Sequence, residues 1–237
     1  MNRPSAYRGW EYAKKGDYHK KLDPDWSYTP TYLKKMKLVY QFLDTLPHDA
    51  KILDAGCGEG VLVEEYRHRG RQIIGIDLNY ASEFVLRGNI LNLPFSDDSF
   101  DVVLLLDAFE HLSYVDQPQS LIEINRVLRA GGCLLMTVPN LAHLNSRFNF
   151  FFRGRLDRSD IETNHPGERP LWENIKFVND AGFKILKVKG ITFTLPFIYR
   201  QVICRKPSWF RWLHDLLDLF AYPPFAMLNM FICEKKG

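Results

Sequence analysis

Three glycines at alternate positions, Gly56, Gly58 and Gly60, stand between a short apolar run and a helical one, with an acid on either side of them, Asp54 and Asp77. Glycine at such a strand-to-helix turn lets the backbone bend tightly and approach a ligand closely. A dinucleotide-binding fold sets its last glycine one position later, where this chain has Val61. Asp54, at the mouth of the loop, repels a pyrophosphate but suits the cationic end of an amino acid. Asp77 ends the next apolar run, about 20 residues on, where an acid accepts hydrogen bonds from ribose hydroxyls. The pattern therefore favours an adenosine ligand with an ammonium and a sulfonium over a nicotinamide dinucleotide.

The elements that must hold these residues follow from apolar spacing. Leu33, Met36, Val39, Tyr40 and Leu43 recur at helical intervals, predicting a helix over 31–46 that Pro47 ends. Strands are predicted over 51–54, 72–76, 84–86, 101–106 and 133–138, and helices over 61–69 and 117–129, the last stopped by Gly131 and Gly132. The run 101–106 has no polar alternation, which suits a central strand covered on both faces. This strand–helix–strand rhythm predicts a parallel, doubly wound sheet. Beyond residue 140 a helix is expected over 170–181 and strands over 183–189 and 227–235, with an irregular aromatic insertion at 195–224 that contains an amphipathic stretch near 209–220.

Ile52-Leu53-Asp54-Ala55-Gly56-Cys57-Gly58-Glu59-Gly60 resembles the first motif of class I S-adenosylmethionine-dependent methyltransferases, especially the subgroup acting on quinones and other small molecules. The likeness continues through Gly75-Ile76-Asp77-Leu78, Gly88 to Asp101, Asp107-Ala108-Phe109-Glu110-His111-Leu112 and Glu123 to Gly132, in the family's order over roughly residues 50–140. It implies a Rossmann-like, mostly parallel seven-stranded α/β sheet with an antiparallel last strand and helices on both faces. It also implies S-adenosylmethionine as cofactor and S-adenosylhomocysteine as product. By the same resemblance, Gly56, Gly58, Gly60 and Asp54 would surround the methionine part and Asp77 would take the ribose hydroxyls. Leu78 would pack on adenine, Asn89 and Ile90 would meet its edge, and Asp107 would hold the amino-acid end or order the loop. Asn89 departs from the family's usual Asp; its amide oxygen still accepts a hydrogen bond, without the charge.

Ligands of an open parallel sheet collect beyond the carboxyl ends of its strands, where Asp107, His111 and Asn140 are expected. His111 suits a general base for a hydroxyl acceptor, or it caps the helix that follows. His165, in the polar loop Asn164 to Pro170, is the second candidate base, and Arg169 of that loop a candidate acceptor contact. Arg153, Arg155 and Arg158, among Phe148, Phe150, Phe151 and Phe152, read as a clamp on an anionic acceptor or as the solvated edge of an amphipathic helix. Tyr7 and Trp10, in an aromatic cap over residues 1–30, are expected to face the acceptor as a lid. The 195–224 insertion is the second lid, packing on the sheet or touching a lipid-like substrate or membrane surface.

The chain of 237 residues, 46% hydrophobic and 25% charged, suits one soluble globular domain: the cap, a cofactor-binding core over 31–140 and an acceptor-side half over 141–237. A net charge of +3 is too small to argue for nucleic acid, and none is expected as partner. Lysines 34, 35 and 37 read as solvated helix positions. Cysteines at 57, 133, 204 and 233 form no Cys-x-x-Cys pair, which argues against a zinc ribbon or a redox dithiol; no metal site is expected. A polar N-terminus without an apolar core, and the interrupted run 216–233, predict neither a secretory signal nor a membrane span, leaving the cytoplasm as the expected setting. The weaker alternatives are a nicotinamide-dependent oxidoreductase and a non-catalytic cofactor-binding module.

Overall fold

A computed structural model describes residues 22, 24, 26–156 and 165–237. Tyr7, Trp10 and Arg158 lie outside the described residues.

Seven strands form one sheet: β1 (Ile52–Ala55), β2 (Ile73–Asp77), β3 (Val85–Arg87), β4 (Phe100–Leu106), β5 (Leu128–Pro139), β6 (Phe183–Phe193) and β7 (Ala226–Lys235). Their order is β3-β2-β1-β4-β5-β7-β6. The first five pair in parallel, and β7 runs antiparallel to both β5 and β6. The strand order reverses between β1 and β4, so the crevice at their carboxyl ends is the ligand-binding switch point of a doubly wound sheet.

Alternation along the strands builds two cores. Leu53, Val103, Leu105, Leu134 and Met136 face α3 (Asp116–Val127) and α5 (Leu171–Asp180), whose Leu121, Ile124 and Val178 they meet. Ile52, Val102, Leu104 and Leu135 face α1 (Thr29–Leu43) and α2 (Val61–His68), meeting Met36, Val39, Leu62 and Tyr66. Asp54, two residues after Ile52, falls on the α1 side by the same period of two.

The predicted helices and strands are found, with three changes. First, α3 ends at Val127 rather than at the Gly131-Gly132 pair, because Leu128 is already extended and pairs with Phe100. Second, β6 runs on to Phe193, held along its length by β7. Third, the insertion is largely helical, with α6 (Ile198–Gln201) and α7 (Arg211–Leu217); α4 (Leu144–Arg153) precedes β6 and α5. Among the described residues no helix is long and apolar enough to cross a membrane. None of the four cysteines forms a disulfide.

Candidate active site

The glycine loop leaves β1 and opens α2. The N–H groups of Gly56 and Cys57 both donate to the carbonyl of Ile76 (2.7 and 3.3 Å), tying the loop to the end of β2. Gly56 has φ +77°, and a Cβ there would stand 2.7 Å from the Cβ of Ala108, so the loop lies directly against the turn that follows β4. Gly60 has φ +76° and a Cβ would overlap Val85. Both positions exclude a side chain twice, by backbone and by space. Asp77 receives the N–H of Gly58 on Oδ2 (3.0 Å) and that of Asn79 on Oδ1 (2.8 Å). Leu78, beside it, is 39% exposed, an apolar face at the strand end. Asn89 spends its amide oxygen locally, accepting from the N–H of Leu91 at 3.0 Å, while Ile90 is buried.

Asp54 is buried beneath this loop, and burial pushes its carboxyl up to about 7, the charge of Lys35 opposing and that of Asp77 adding to the rise. Asp107 has the opposite fate. Burial alone would raise it, but the charge and hydrogen bond of Lys35, with the hydroxyls of Thr137 and Tyr28, hold it below the usual carboxylate range. Those contacts are short: Lys35 Nζ at 2.7 Å, Tyr28 at 2.8 Å and Thr137 at 2.5 Å. Asp107 adopts φ +51°, and its N–H donates to the carbonyl of Thr137. Lys35 corrects the sequence reading of a solvated lysine. Thr31, Lys35, Val39 and Leu43 are four residues apart and all buried, so Lys35 stands within the buried stripe of α1 and extends along the sheet to reach an acid.

Past Asp107 the chain makes a 3-10 turn, Phe109–His111, and the 165–170 loop folds back onto it. The rings of His111 and His165 meet edge to face with centroids 4.7 Å apart. Burial, then the neighbouring His111, lowers His165 to about 4, with Asp107 opposing. Glu110, the residue before His111 and almost fully buried, is held well above its ordinary value by burial first and by Asp107 and Glu168 next. Gln117 of α3 clamps the two segments together: its amide donates to the carbonyls of Phe109 (2.9 Å) and Gly167 (2.8 Å) and accepts from Arg169 (2.6 Å).

Two expected acceptor contacts have structural posts instead. Arg169 is 9% exposed, its guanidinium 4.1 Å from the ring centroids of both Tyr114 and Phe177 and bonded to Gln117 and Glu173. Its fork is therefore spent on positioning the loop. Asn140 is fully buried; its amide donates to the carbonyls of Pro224 and Ala226 and its oxygen accepts from Ala142 and Leu171, tying β5 to the insertion. Arg153, at the end of α4, is exposed. Sequence reasoning missed Lys35, Gln117 and Thr137. A lysine in phase with Thr31, Val39 and Leu43 was the one available signal.

Residues 53–136 match the methyltransferase domain family. The chain is 30% identical to an uncharacterized protein of Methanocaldococcus jannaschii, across 78% of this chain and 80% of that one. It is 35% identical to a protein of Mycolicibacterium smegmatis described as a probable S-adenosylmethionine-dependent methyltransferase, across 68% of this chain. The match spans 62% of that relative's length. In fold it is similar to an S-adenosylmethionine-dependent methyltransferase of Thermotoga maritima described as a possible histamine N-methyltransferase, with a TM-score of 0.62, 18% identity and coverage of 96% and 98% of the two chains. Relatives also include an Arabidopsis thaliana tRNA (carboxymethyluridine(34)-5-O)-methyltransferase, 30% identical across 47% of this chain and 29% of its own, so the expectation of no nucleic-acid partner gains no support. With the glycine loop between its two acids at the switch point of a seven-stranded sheet whose last strand is antiparallel, the chain belongs to the class I S-adenosylmethionine-dependent methyltransferases.

Proposed function

We propose that this enzyme methylates an oxygen of a small amphiphilic acceptor, of quinol, lipid or glycan-carrier type. The observation that carries the reading is the His111–His165 pair, packed edge to face beside Asp107 at the carboxyl end of β4. A hydroxyl is a poor nucleophile until its proton is withdrawn, and imidazoles are the side chains suited to that at neutral pH. The ionised oxygen then forms a bond to the methyl carbon while the carbon–sulfur bond breaks, and sulfur keeps the pair as the neutral thioether of S-adenosylhomocysteine. The rest is alignment and exclusion of water.

In this reading Gly56, Gly58, Gly60 and Asp54 surround the methionine end, Asp107 orders that end through Lys35, and Asp77 takes the ribose. Leu78 packs on adenine, with Asn89 and Ile90 at its edge, and Arg153 flanks the acceptor. An amphiphilic acceptor is supported by the insertion, where Trp209, Trp212, Leu219, Phe220 and Tyr222 are each more than 60% exposed. A cytoplasmic setting is supported by four cysteines without a disulfide.

Labelled S-adenosylmethionine offered with quinols, lipid extracts, glycan carriers and transfer RNA tests the reading. Label in an ether or ester of an apolar acceptor is the expected result. Label in RNA alone would overturn the acceptor class, and no heat of binding with S-adenosylhomocysteine would overturn the cofactor assignment.

A further inference from the structure

We propose that Glu110, His111 and His165 form a binding site for a divalent first-row transition cation at the acceptor end of the crevice. The inference rests on the methyl-transfer reading and deepens it: the histidine pair acts on the acceptor oxygen through a bound cation rather than as a free base.

The fold brings together three donors that are far apart in the chain. Glu110 and His111 occupy the turn after β4, and His165 begins the segment leading to α5. One donor atom of each lies within 4.8 Å of the others. Cation–ligand distances of about 2.0–2.2 Å put neighbouring donors about 3–3.5 Å apart, so the three donors need to draw together by no more than about 2 Å. Their backbone is already fixed. Gln117 spans Phe109 and Gly167, the N–H of Gly167 donates to the carbonyl of Glu110 at 3.0 Å, and Tyr114 donates to the carbonyl of Glu168 at 3.1 Å.

A second, independent observation is the carboxylate. Glu110 is 2% exposed, and its Oε2 is buried with no hydrogen-bond partner. An uncompensated polar oxygen in the interior costs about 1–3 kcal/mol, and a cation between it and the two rings removes that cost. Charge points the same way. Asp107 and Glu168 both act on Glu110, and Lys35, which opposes them, is already paired with Asp107.

Two imidazoles and one carboxylate, with coordination positions left open, are a donor set of catalytic zinc and non-haem iron sites. The nitrogen donors favour Fe²⁺, Co²⁺, Ni²⁺ or Zn²⁺ over Mg²⁺, Ca²⁺ or Mn²⁺. An open position would take the acceptor's hydroxyl oxygen, and coordination lowers the pKa of such an oxygen strongly. Its proton leaves to solvent, and the oxygen lone pair forms the bond to the methyl carbon as sulfur departs with the carbon–sulfur pair. This selects acceptors with an acidic or chelating hydroxyl, such as phenols and enols.

The test uses the full chain without a polyhistidine tag, stripped with a chelator and titrated with Co²⁺, followed by its visible absorption, and with Zn²⁺. Glu110→Gln and His165→Ala are titrated alongside, and S-adenosylhomocysteine binding is measured for all three. The expected result is one equivalent of cation per parent chain, an affinity at least about 10-fold weaker in each variant, and unchanged S-adenosylhomocysteine affinity. Should Glu110→Gln lose its fold, His165→Ala in the loop carries the comparison. Equal cation affinity in parent and His165→Ala, or no cation bound by a parent chain that binds S-adenosylhomocysteine, overturns the site. A parent that binds cation through these residues but not S-adenosylhomocysteine supports the site and overturns the methyl-transfer reading.

Discussion

Lys35 of α1 and Asp107 after β4 form an ion pair, Nζ to Oδ2 2.7 Å, with the lysine side chain only 5% and the aspartate side chain 21% exposed. The pair links the first described helix to the floor of the crevice, so its loss affects both stability and the site. Lys35→Met keeps the stem and removes the charge, leaving Asp107 with two hydroxyls and no cation. Breaking a buried pair from one side costs about 3–5 kcal/mol; with Asp107 a fifth exposed, about 3 kcal/mol is expected. Lys35→Met/Asp107→Asn removes both charges and should regain part of that. Urea unfolding of the parent, the single and the double variant measures both. A loss below about 1 kcal/mol, as for an exposed bridge, would show the pair to be ornamental.

Asp54 sets a pH dependence of unusual sign. Its folded-state pKa is raised from 3.8 to about 7, chiefly by burial. The folded chain therefore holds a proton that the unfolded chain releases between about pH 4 and 7, and stability falls as pH rises through that window. Three units correspond to on the order of 4 kcal/mol. Asp54→Asn should flatten this part of the stability–pH curve. An ammonium brought beside Asp54 favours its carboxylate, so cofactor binding near pH 6 should release a proton. Calorimetry of S-adenosylmethionine binding in two buffers of different ionisation enthalpy reads it, and identical heats would count against Asp54 as the neighbour of the amino group.

Gly60→Ala is expected to weaken both the fold and cofactor binding. The backbone there is left-handed at φ +76°, which costs an alanine about 1 kcal/mol, and the new methyl overlaps the Cγ2 of Val85 on β3. Val85→Ala opens that space at its own cost as a truncated core residue. The double variant should therefore bind S-adenosylhomocysteine better than Gly60→Ala alone, while remaining below the parent. No difference between single and double variants would place the whole effect in the backbone.

The glycine loop and its flanking acids were legible because their signals are local. A glycine that must adopt positive φ and an acid that ends a strand are visible in a few consecutive residues, and Asp54, Gly56, Gly60 and Asp77 are found where the spacing places them. The acceptor half depends on contacts across 50 residues or more. Arg169 and Asn140 looked like ligands for a substrate because both are polar and follow strand ends or loops. Their partners, Gln117 and the backbone carbonyls at the start of β7, are contributed by segments that only folding brings near. His111 and His165 were each visible, but not their 4.7 Å approach, nor the buried Glu110 beside them. Lys35 was misread because charge outweighed phase: a lysine in a helix is usually solvated, and this one shares its row with Thr31, Val39 and Leu43.

Gln117 offers the sharpest separation of the two halves. Its amide satisfies the carbonyls of Phe109 and Gly167 while its oxygen fixes Arg169, so one side chain holds the 165–170 loop on the turn after β4. Gln117→Met keeps the volume and removes all three bonds, at a cost of about 1–3 kcal/mol for the groups left unpaired. Gly167→Ala should dislodge the same loop from the other side, since its methyl would overlap the Gln117 amide and the carbonyl of Leu112. Neither change touches the glycine loop or Asp77. Turnover should therefore fall about 10- to 100-fold, the usual cost of losing a residue that orients the reacting groups, with S-adenosylhomocysteine affinity unchanged. Parallel loss of affinity and turnover would mean that the loop supports the whole crevice and not its acceptor end.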